Sequence, residues 1–412
     1  MNPSASSAPS TARSSAGAAV LPADVEPSGP PVAPERAGGR DRYLDLLRAL
    51  ALFRIVLYHT FGTAALTLVF PSLGVMFALA GSLMARSLVR PAPTVIRSRA
   101  RRLLLPLAAF SATLLVLLLV QGWTPTQEED GSWWDLVVWF LPIGDPVLPE
   151  SIGDGTGPID SSWAAEAGII LWYIRAYFWF MLLSPLMLMA FRRFPRVTLL
   201  MPLALVACLE FLPLSVPVWA ETQVWDFATY GSCWLLGFAH SSGQLRRTRG
   251  WIVFAAGAAL MALGLWQLAT HVEETGWDLN NTALAQALWS LGFTAVLLRI
   301  SPVWHTLPRP LHLMDRLVTL VNNRAMTIYL WHNLLIVVAA AVISKLWDNE
   351  SLAERVPWLL ETQWTAFFLT WLMIGVMILA VGWVEDIAAR RRPRLWPDGS
   401  HMPSVPSARG DR

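Results

Sequence analysis

The chain has 412 residues, of which 55% are hydrophobic and 15% are charged, and its formal net charge at pH 7 is +2. Because soluble domains carry about 25% charged residues, this composition excludes an ordinary soluble domain and indicates several membrane spans. Cys208 and Cys233 both lie in apolar runs, which is typical of buried free thiols. No Cys or His spacing indicates a metal site, and the arginines cluster beside the apolar runs, so neither a metal centre nor nucleic-acid binding is predicted.

Two polar segments flank the apolar part of the chain. Residues 1–40 are rich in Pro, Ser, Ala and Gly and cannot bury a core, so we predict a disordered tail on the cytoplasmic side. The apolar run at 16–21 is too short for a signal peptide. The residues after Arg390 are polar and rich in Pro, so 391–412 are predicted to form a flexible C-terminal tail and 41–390 the membrane domain.

The apolar segments between these tails have the length of about 20 residues that crosses a bilayer as a helix. Ten are predicted, near 46–68, 71–90, 103–121, 168–190, 198–218, 223–241, 251–270, 282–300, 324–345 and 364–386. The arginine clusters all fall on one side of the membrane if both termini are inside; they lie at 40–48, 86–102, 192–196, 246–249, 299–316 and 390–394. Because cytoplasmic loops carry the excess of Arg and Lys, we predict an all-α, polytopic protein of the bacterial cytoplasmic membrane, with about ten transmembrane helices and both termini cytoplasmic.

The first span carries ionisable residues on one face. Arg48 and His59 are eleven residues apart, which at about 100° per residue brings them to within roughly 20° of each other on the helix surface. Asp45 lies on the same face, one turn before Arg48. Because such residues are costly inside a span, we interpret the stripe as functional, with His59 as a general base about halfway across. The alternatives are that Arg48 reaches to the cytoplasmic interface and that His59 hydrogen-bonds a neighbouring helix.

A second cluster precedes the third span and contains Arg97, Arg101 and Arg102. Its charge helps to set the orientation of the chain. Guanidinium groups also bind phosphate oxygens in pairs, and Arg97 and Arg101 are one helical turn apart. The cluster is therefore predicted to hold a phosphate as well.

The fourth and ninth spans contain further polar candidates. Trp172 and Arg175 lie in the fourth span, where an arginine needs an acid or a water-filled cavity, and Asp226 in the sixth span is a candidate counter-charge. Tyr329 and His332 lie within the ninth span. His332 either hydrogen-bonds another helix or takes part in function.

The longest predicted outer loop, 122–167, contains nine acidic residues, five Trp and no Lys or Arg. Its indoles either rest at the lipid headgroups beside a solvated loop or form a lid or platform that stacks on sugar rings. We favour the solvated loop.

These motifs together resemble the acyltransferase 3 family of integral membrane acyltransferases, over roughly residues 41–386. Arg48 followed by ten residues and His59 is similar to the family's arginine–histidine signature, and Arg97 with Arg101 is similar to its cytoplasmic paired-arginine motif. The blocks 171–174 and 329–332 resemble its later conserved blocks, the last in the form of actinobacterial members.

The resemblance implies acyl transfer, usually of acetyl from acetyl-CoA, to a hydroxyl of a carbohydrate, a lipid-linked sugar or a secondary metabolite. It implies that His59 is the essential base or acyl relay, supported by Arg48, and that Arg97 and Arg101 lie near the CoA phosphates. Acyl-CoA would be a donor substrate, with no permanently bound cofactor. Because Arg48 lies about 16 Å from His59 along the helix, we expect Arg48 to serve the donor or the cytoplasmic mouth of the cavity rather than the imidazole.

Two other classes of function fit ten spans with intramembrane histidines and arginines. One is a transporter or flippase for an amphiphilic glycan or lipid, although neither an inverted repeat nor matching Gly- or Pro-broken spans are visible. The other is an inactive scaffold that presents the acidic loop. Stabilisation of the protein by CoA would count against both.

Overall fold

The computed structural model describes residues 41–128, 131–153 and 159–399. The predicted disordered tail at 1–40 and most of the predicted C-terminal tail lie outside these ranges. All regular secondary structure in the described ranges is helical, which confirms the predicted all-α class. Within the predicted C-terminal tail, the described residues reach Gly399, and the Pro397 carbonyl accepts a hydrogen bond from Asn323 at 2.8 Å.

Long helices make up most of the described part of the chain, and we number them in chain order. They are α1 (Arg42–Phe61), α2 (Ser72–Ser87), α3 (Ala92–Val120), α4 (Leu171–Arg193), α5 (Pro195–Phe211), α6 (Val218–Ser241), α7 (Gly250–Thr270), α8 (Ala283–Arg299), α9 (Ala325–Trp347) and α10 (Gln363–Val381). Short α-helices connect them at Ala65–Val69, Leu136–Phe140, Trp163–Gly168, Gln244–Arg247, Val272–Thr275, Asp315–Asn323, Glu350–Arg355, Pro357–Glu361 and Trp383–Ala388. Single 3-10 turns occur at Pro125–Gln127, Trp133–Asp135, Leu279–Asn281 and Arg309–Met314.

Six helical segments of the described chain are long and apolar enough to cross a membrane. They are Ala65–Ser87, Ala92–Val120, Trp163–Arg193, Gly250–Thr270, Ala325–Trp347 and Gln363–Val381. The other four long helices match predicted spans in position, but α5 and α8 have 17 residues each, and α1 and α6 carry ionisable side chains. The chain is therefore a multi-pass membrane protein, and the ten-span topology with cytoplasmic termini stays a prediction.

Helix α1 is displaced from the predicted span 46–68 toward the N-terminus. It begins at Arg42 because the side chain of Asp41 accepts a hydrogen bond from the backbone N–H of Tyr43 at 3.1 Å. It ends at Phe61 because Gly62 adopts a left-handed conformation with φ of 59°. His59 therefore lies in the last turn of α1, and not near the middle of a helix as the predicted span 46–68 implied. The apolar residues that follow Gly62 hide this helix end from a reading of hydropathy.

The bundle is held together where glycines let helix backbones approach closely. A Cβ atom on Gly81 of α2 would lie 2.2 Å from the Trp234 carbonyl oxygen of α6. A Cβ atom on Gly237 of α6 would lie 2.2 Å from the Ala78 carbonyl oxygen of α2. Small residues that permit such contacts are a common way for membrane helices to pack, because dispersion contacts replace the hydrophobic effect there.

We expect Gly237→Ala to lower the free energy of unfolding by about 1–3 kcal/mol, because the added methyl group forces α2 and α6 apart. Gly375→Ala in α10 is the matched control, since no atom lies within 4 Å of the Cβ position there. The melting temperatures of the two variants in detergent give the comparison. Equal shifts in both would show that the α2–α6 contact does not limit stability.

Candidate functional site

One cavity of about 460 Å³ lies at the N-terminal half of α1 and is lined by residues of α2, α3, α4 and α9 as well. We name it the arginine cavity because five arginines line it: Arg48, Arg90, Arg99, Arg102 and Arg391. Serine and asparagine side chains and the carboxyl group of Glu385 complete its polar wall. This concentration of guanidinium groups suits a ligand with several negative charges.

Arg48 is held in this cavity by a contact to the helix Asp315–Asn323. Its Nη1 donates to the Oδ1 of Asn322 at 3.2 Å, and the Nδ2 of Asn322 donates to the Asp45 carbonyl at 2.8 Å. The carboxylate of Asp45 pairs with Arg42 at 3.0 Å, and Arg42 also reaches Asp315 at 2.5 Å. Arg48 therefore lies in the arginine cavity, at the opposite end of α1 from His59.

The three arginines predicted to bind phosphate lie in different surroundings. Arg97 and Arg102 are both exposed, but only Arg102 lines the arginine cavity. Arg101 donates through Nε to the Ala388 carbonyl at 2.9 Å, and neither Arg97 nor Arg101 belongs to the lining of the arginine cavity. Arg99 lines it instead, and its Nη2 donates to the Leu83 carbonyl at 2.8 Å. The rotation of α3 thus presents Arg99 and Arg102 to the cavity.

A second cavity of about 380 Å³ surrounds the C-terminal end of α1. We name it the histidine cavity because His59 lines it. Its wall combines aromatic side chains with amide and charged groups, including Arg54, Tyr58, Trp172, Asp226, Tyr230, Asn280 and Gln286. The ring of Trp172 stacks on that of Tyr230 with centroids 5.6 Å apart. Aromatic faces beside hydrogen-bonding side chains are typical of a site for a ring with several hydroxyl groups.

His59 and His332 are adjacent, although they lie far apart in sequence. Their ring centroids are 5.2 Å apart. His332 is fully buried, and its Nδ1 lies 2.6 Å from the Tyr329 carbonyl. Because a carbonyl only accepts, Nδ1 donates the hydrogen bond; in a neutral ring this assigns an unprotonated Nε2. This Nε2 has no hydrogen-bond partner among the described residues.

Tyr329 lies in the wall between the two cavities, because it lines both of them. Its hydroxyl donates to the Ile170 carbonyl at 2.9 Å, and its ring lies 5.0 Å from that of Tyr173, which lines the arginine cavity. At least one residue from each of the four predicted motifs therefore lines one of two neighbouring cavities: Arg48 and His59, Arg102, Trp172, and Tyr329.

Arg175 forms the ion pairs that its position in an apolar helix requires. It pairs with Asp226 of α6 at 2.8 Å and with Asp145 of the loop 122–167. Its side chain is only 4% exposed. Arg175 thus joins α4, α6 and the loop beside the histidine cavity.

The tryptophans of the loop 122–167 line neither cavity. Trp123, Trp139 and Trp163 are buried, whereas Trp133 and Trp134 are exposed. Three of the nine acidic residues, Glu129, Asp130 and Asp154, lie outside the described residues. The indoles that line the histidine cavity are Trp172 and Trp225.

Arg54 and Tyr58 are cavity residues that the motif-based prediction missed. Arg54 is buried, although it lies in the same apolar stretch as His59. An arginine in that position is as costly as a histidine, so the sequence did contain the signal. Among the described residues, no group of three His, Cys, Asp or Glu side chains could hold a metal ion.

Comparison with known proteins gives one finding. Residues 41–384 match the family model Acyl_transf_3, which is described as an acyltransferase domain. No curated protein and no solved structure matches the chain significantly.

We expect Arg175→Met to lower the free energy of unfolding by about 3–5 kcal/mol, because it leaves Asp226 without its cation in a largely buried position. Lys345→Met removes an ion pair to Asp348 whose side chains are 61% and 67% exposed, so its effect should stay below about 1 kcal/mol. Thermal unfolding in detergent measures both. A Lys345→Met effect as large as that of Arg175→Met would refute a structural role for the buried pair.

Proposed function

Because this chain belongs to the acyltransferase 3 family, we propose that it transfers an acyl group, in particular acetyl, from acyl-CoA to a hydroxyl of a carbohydrate, a lipid-linked sugar or a secondary metabolite. The observation that supports this proposal is the pair of cavities that share Tyr329, one rich in arginine and one containing His59. A reaction between a polyanionic donor and a hydroxylated acceptor needs two such environments next to each other.

The donor binds in the arginine cavity. Its phosphates face Arg99 and Arg102, whose guanidinium groups form charge-assisted hydrogen bonds with phosphate oxygens. Arg48 lies in the same cavity and serves the donor rather than His59. Arg97 and Arg101, which the motif favoured, do not line this cavity and add only a screened, long-range attraction for the donor. The acyl end of the donor extends toward Tyr329.

The acceptor binds in the histidine cavity, with a ring face against Trp172 and hydroxyls near Asn280 and Gln286. In direct transfer, an unprotonated nitrogen of His59 removes the proton from the reacting hydroxyl, and the oxygen attacks the carbonyl carbon of the thioester. The carbon–sulfur bond breaks, and the CoA thiolate takes the proton back from the imidazolium. In the alternative route, the same nitrogen attacks the thioester carbonyl and expels the CoA thiolate, which leaves an acyl-histidine. The acceptor oxygen then attacks this acyl group, the carbon–nitrogen bond breaks, and the hydroxyl proton passes to the thiolate.

His332 supports His59 in either route. Its ring packs against His59, and its hydrogen bond to the Tyr329 carbonyl fixes its own orientation. His332 is therefore a positioning residue that limits the rotation of the His59 ring.

We expect His59→Ala to reduce transfer of radiolabelled acetyl from acetyl-CoA by at least about 100-fold, since a positioned base contributes about 10²–10⁴ to the rate. The measurement uses membranes of the native host at matched expression, and label is followed into lipid and glycan fractions. His305→Ala, an exposed histidine outside both cavities, is the matched control and should retain full activity. Equal labelling by the natural chain and His59→Ala would exclude His59 from the chemistry.

We expect Arg99→Gln and Arg102→Gln each to weaken CoA binding about tenfold, because each removes a charge-assisted hydrogen bond to a phosphate. Arg97→Gln is the control for the same chemical change at an exposed site on the same helix, and it should change the Kd less than about threefold. Calorimetric titration of the purified variants with CoA gives the three constants. A larger loss of CoA affinity in Arg97→Gln than in Arg99→Gln and Arg102→Gln would place the phosphates outside the arginine cavity.

A further inference from the structure

Arg54 is a buried cation in the wall of the histidine cavity. It is 8% exposed and lines the same cavity as His59. The two residues are five positions apart on α1, a rise of about 7.5 Å. Their side chains leave α1 about 140° apart around its axis, yet both line the histidine cavity, so one molecule bound there can contact both.

Arg54 differs from the other buried arginines in its partners. Four arginines are buried in the part of the chain that the structure describes: Arg42, Arg54, Arg175 and Arg324. Arg42 pairs with Asp45 and Asp315, Arg175 with Asp145 and Asp226, and Arg324 with Asp386. No acidic side chain of the described residues forms an ion pair with Arg54.

The contacts that Arg54 does make include no direct ion pair, although the carboxylate of Asp278 attracts its guanidinium from a greater distance. Its Nε donates to the Leu66 carbonyl at 3.0 Å, and its guanidinium lies 5.0 Å from the centre of the Tyr58 ring. Asp278 is engaged elsewhere: one carboxylate oxygen accepts from the Tyr58 hydroxyl at 2.6 Å and the other from the Asn280 backbone N–H at 2.9 Å.

An arginine kept in an apolar bundle without a directly paired carboxylate is costly, so an anion that arrives with a ligand gains a strong interaction there. The other ionisable side chains that line the histidine cavity do not supply such an anion from within the protein. Asp226 is paired with Arg175, and His59 is not an anion.

We propose that Arg54 binds a phosphate or carboxylate group of the acceptor while the reacting hydroxyl of the same molecule faces His59. This assignment rests on the proposed acyl transfer and narrows its acceptor to an anionic, hydroxylated molecule. The anionic group belongs either to a lipid-linked headgroup or to a soluble sugar acid or sugar phosphate, and both present the same chemistry to Arg54.

The test begins with the charge of the product. Membranes of the native host are labelled with radioactive acetyl-CoA, and the label that depends on His59 is applied to an anion exchanger. Retained product, eluted by salt, is the expected result. Product that passes through unretained would overturn the anionic acceptor while leaving the acyl transfer intact. If no labelled product depends on His59, the acyl transfer itself is overturned, and the acceptor assignment with it.

Partition of the retained product into organic solvent identifies a lipid-linked headgroup, and its recovery in water identifies a soluble anion.

The second part of the test uses variants of Arg54 with the retained acceptor after removal of its acyl group. We expect Arg54→Gln to raise the KM for this acceptor by about tenfold or more and Arg54→Lys by less, because lysine keeps the charge. Arg355→Gln, at an exposed arginine outside both cavities, is the control and should leave the KM unchanged.

CoA binding of Arg54→Gln shows whether the variant is folded, since the donor occupies the other cavity. If Arg54→Gln binds CoA as tightly as the natural chain does and its KM for the acceptor is raised, the assignment is supported. Natural CoA affinity with an unchanged KM and a lowered kcat would overturn it, because Arg54 would then act on the transition state alone. If Arg54→Gln does not bind CoA, the CoA affinity and the acceptor KM of Arg54→Lys are compared with those of the natural chain in the same way.

Discussion

The cost of placing ionisable side chains inside a bundle of apolar helices shapes the arrangement of this protein. Each such side chain needs a counter-charge, a hydrogen bond or a cavity. Arg175 and Arg324 meet this need with buried carboxylates, and they join helices by doing so. Arg48 and His59 meet it by facing cavities at opposite ends of α1. One helix therefore carries both the arginine of the proposed donor site and the proposed base, which fixes the separation of the two cavities.

Tyr329 connects these two halves. Its hydroxyl is held by the Ile170 carbonyl, its own carbonyl orients His332, and its ring contributes to the wall of both cavities. A donor with several phosphates and an acceptor with hydroxyl groups have different requirements for charge and shape. In the proposed reaction, two cavities with a shared wall would give each substrate its own environment while the reacting atoms meet at Tyr329. This arrangement favours transfer between two bound substrates over transport of one.

Hydropathy located the helices well, because an apolar segment long enough to cross a bilayer satisfies its backbone hydrogen bonds there by forming a helix. It failed at Gly62, where a single left-handed residue ends α1 within an apolar run and moves His59 to the helix end. Motif spacing identified Arg48, His59, Arg175 and His332, each of which the structure places in or beside the two cavities. It did not resolve which arginines of 97–102 face inward, because that depends on the rotation of α3 against its neighbours. Arg54 was missed because no motif marks it, although the cost of its charge alone singles it out.

The position of bound CoA tests the separation of donor and acceptor most directly. Cryo-EM density of the full chain in lipid nanodiscs with CoA would show it. We predict density in the arginine cavity, with the diphosphate beside Arg99 and Arg102 and the thiol end at Tyr329. Density in the histidine cavity, or at the surface beside Arg97, would contradict the division of the site at Tyr329.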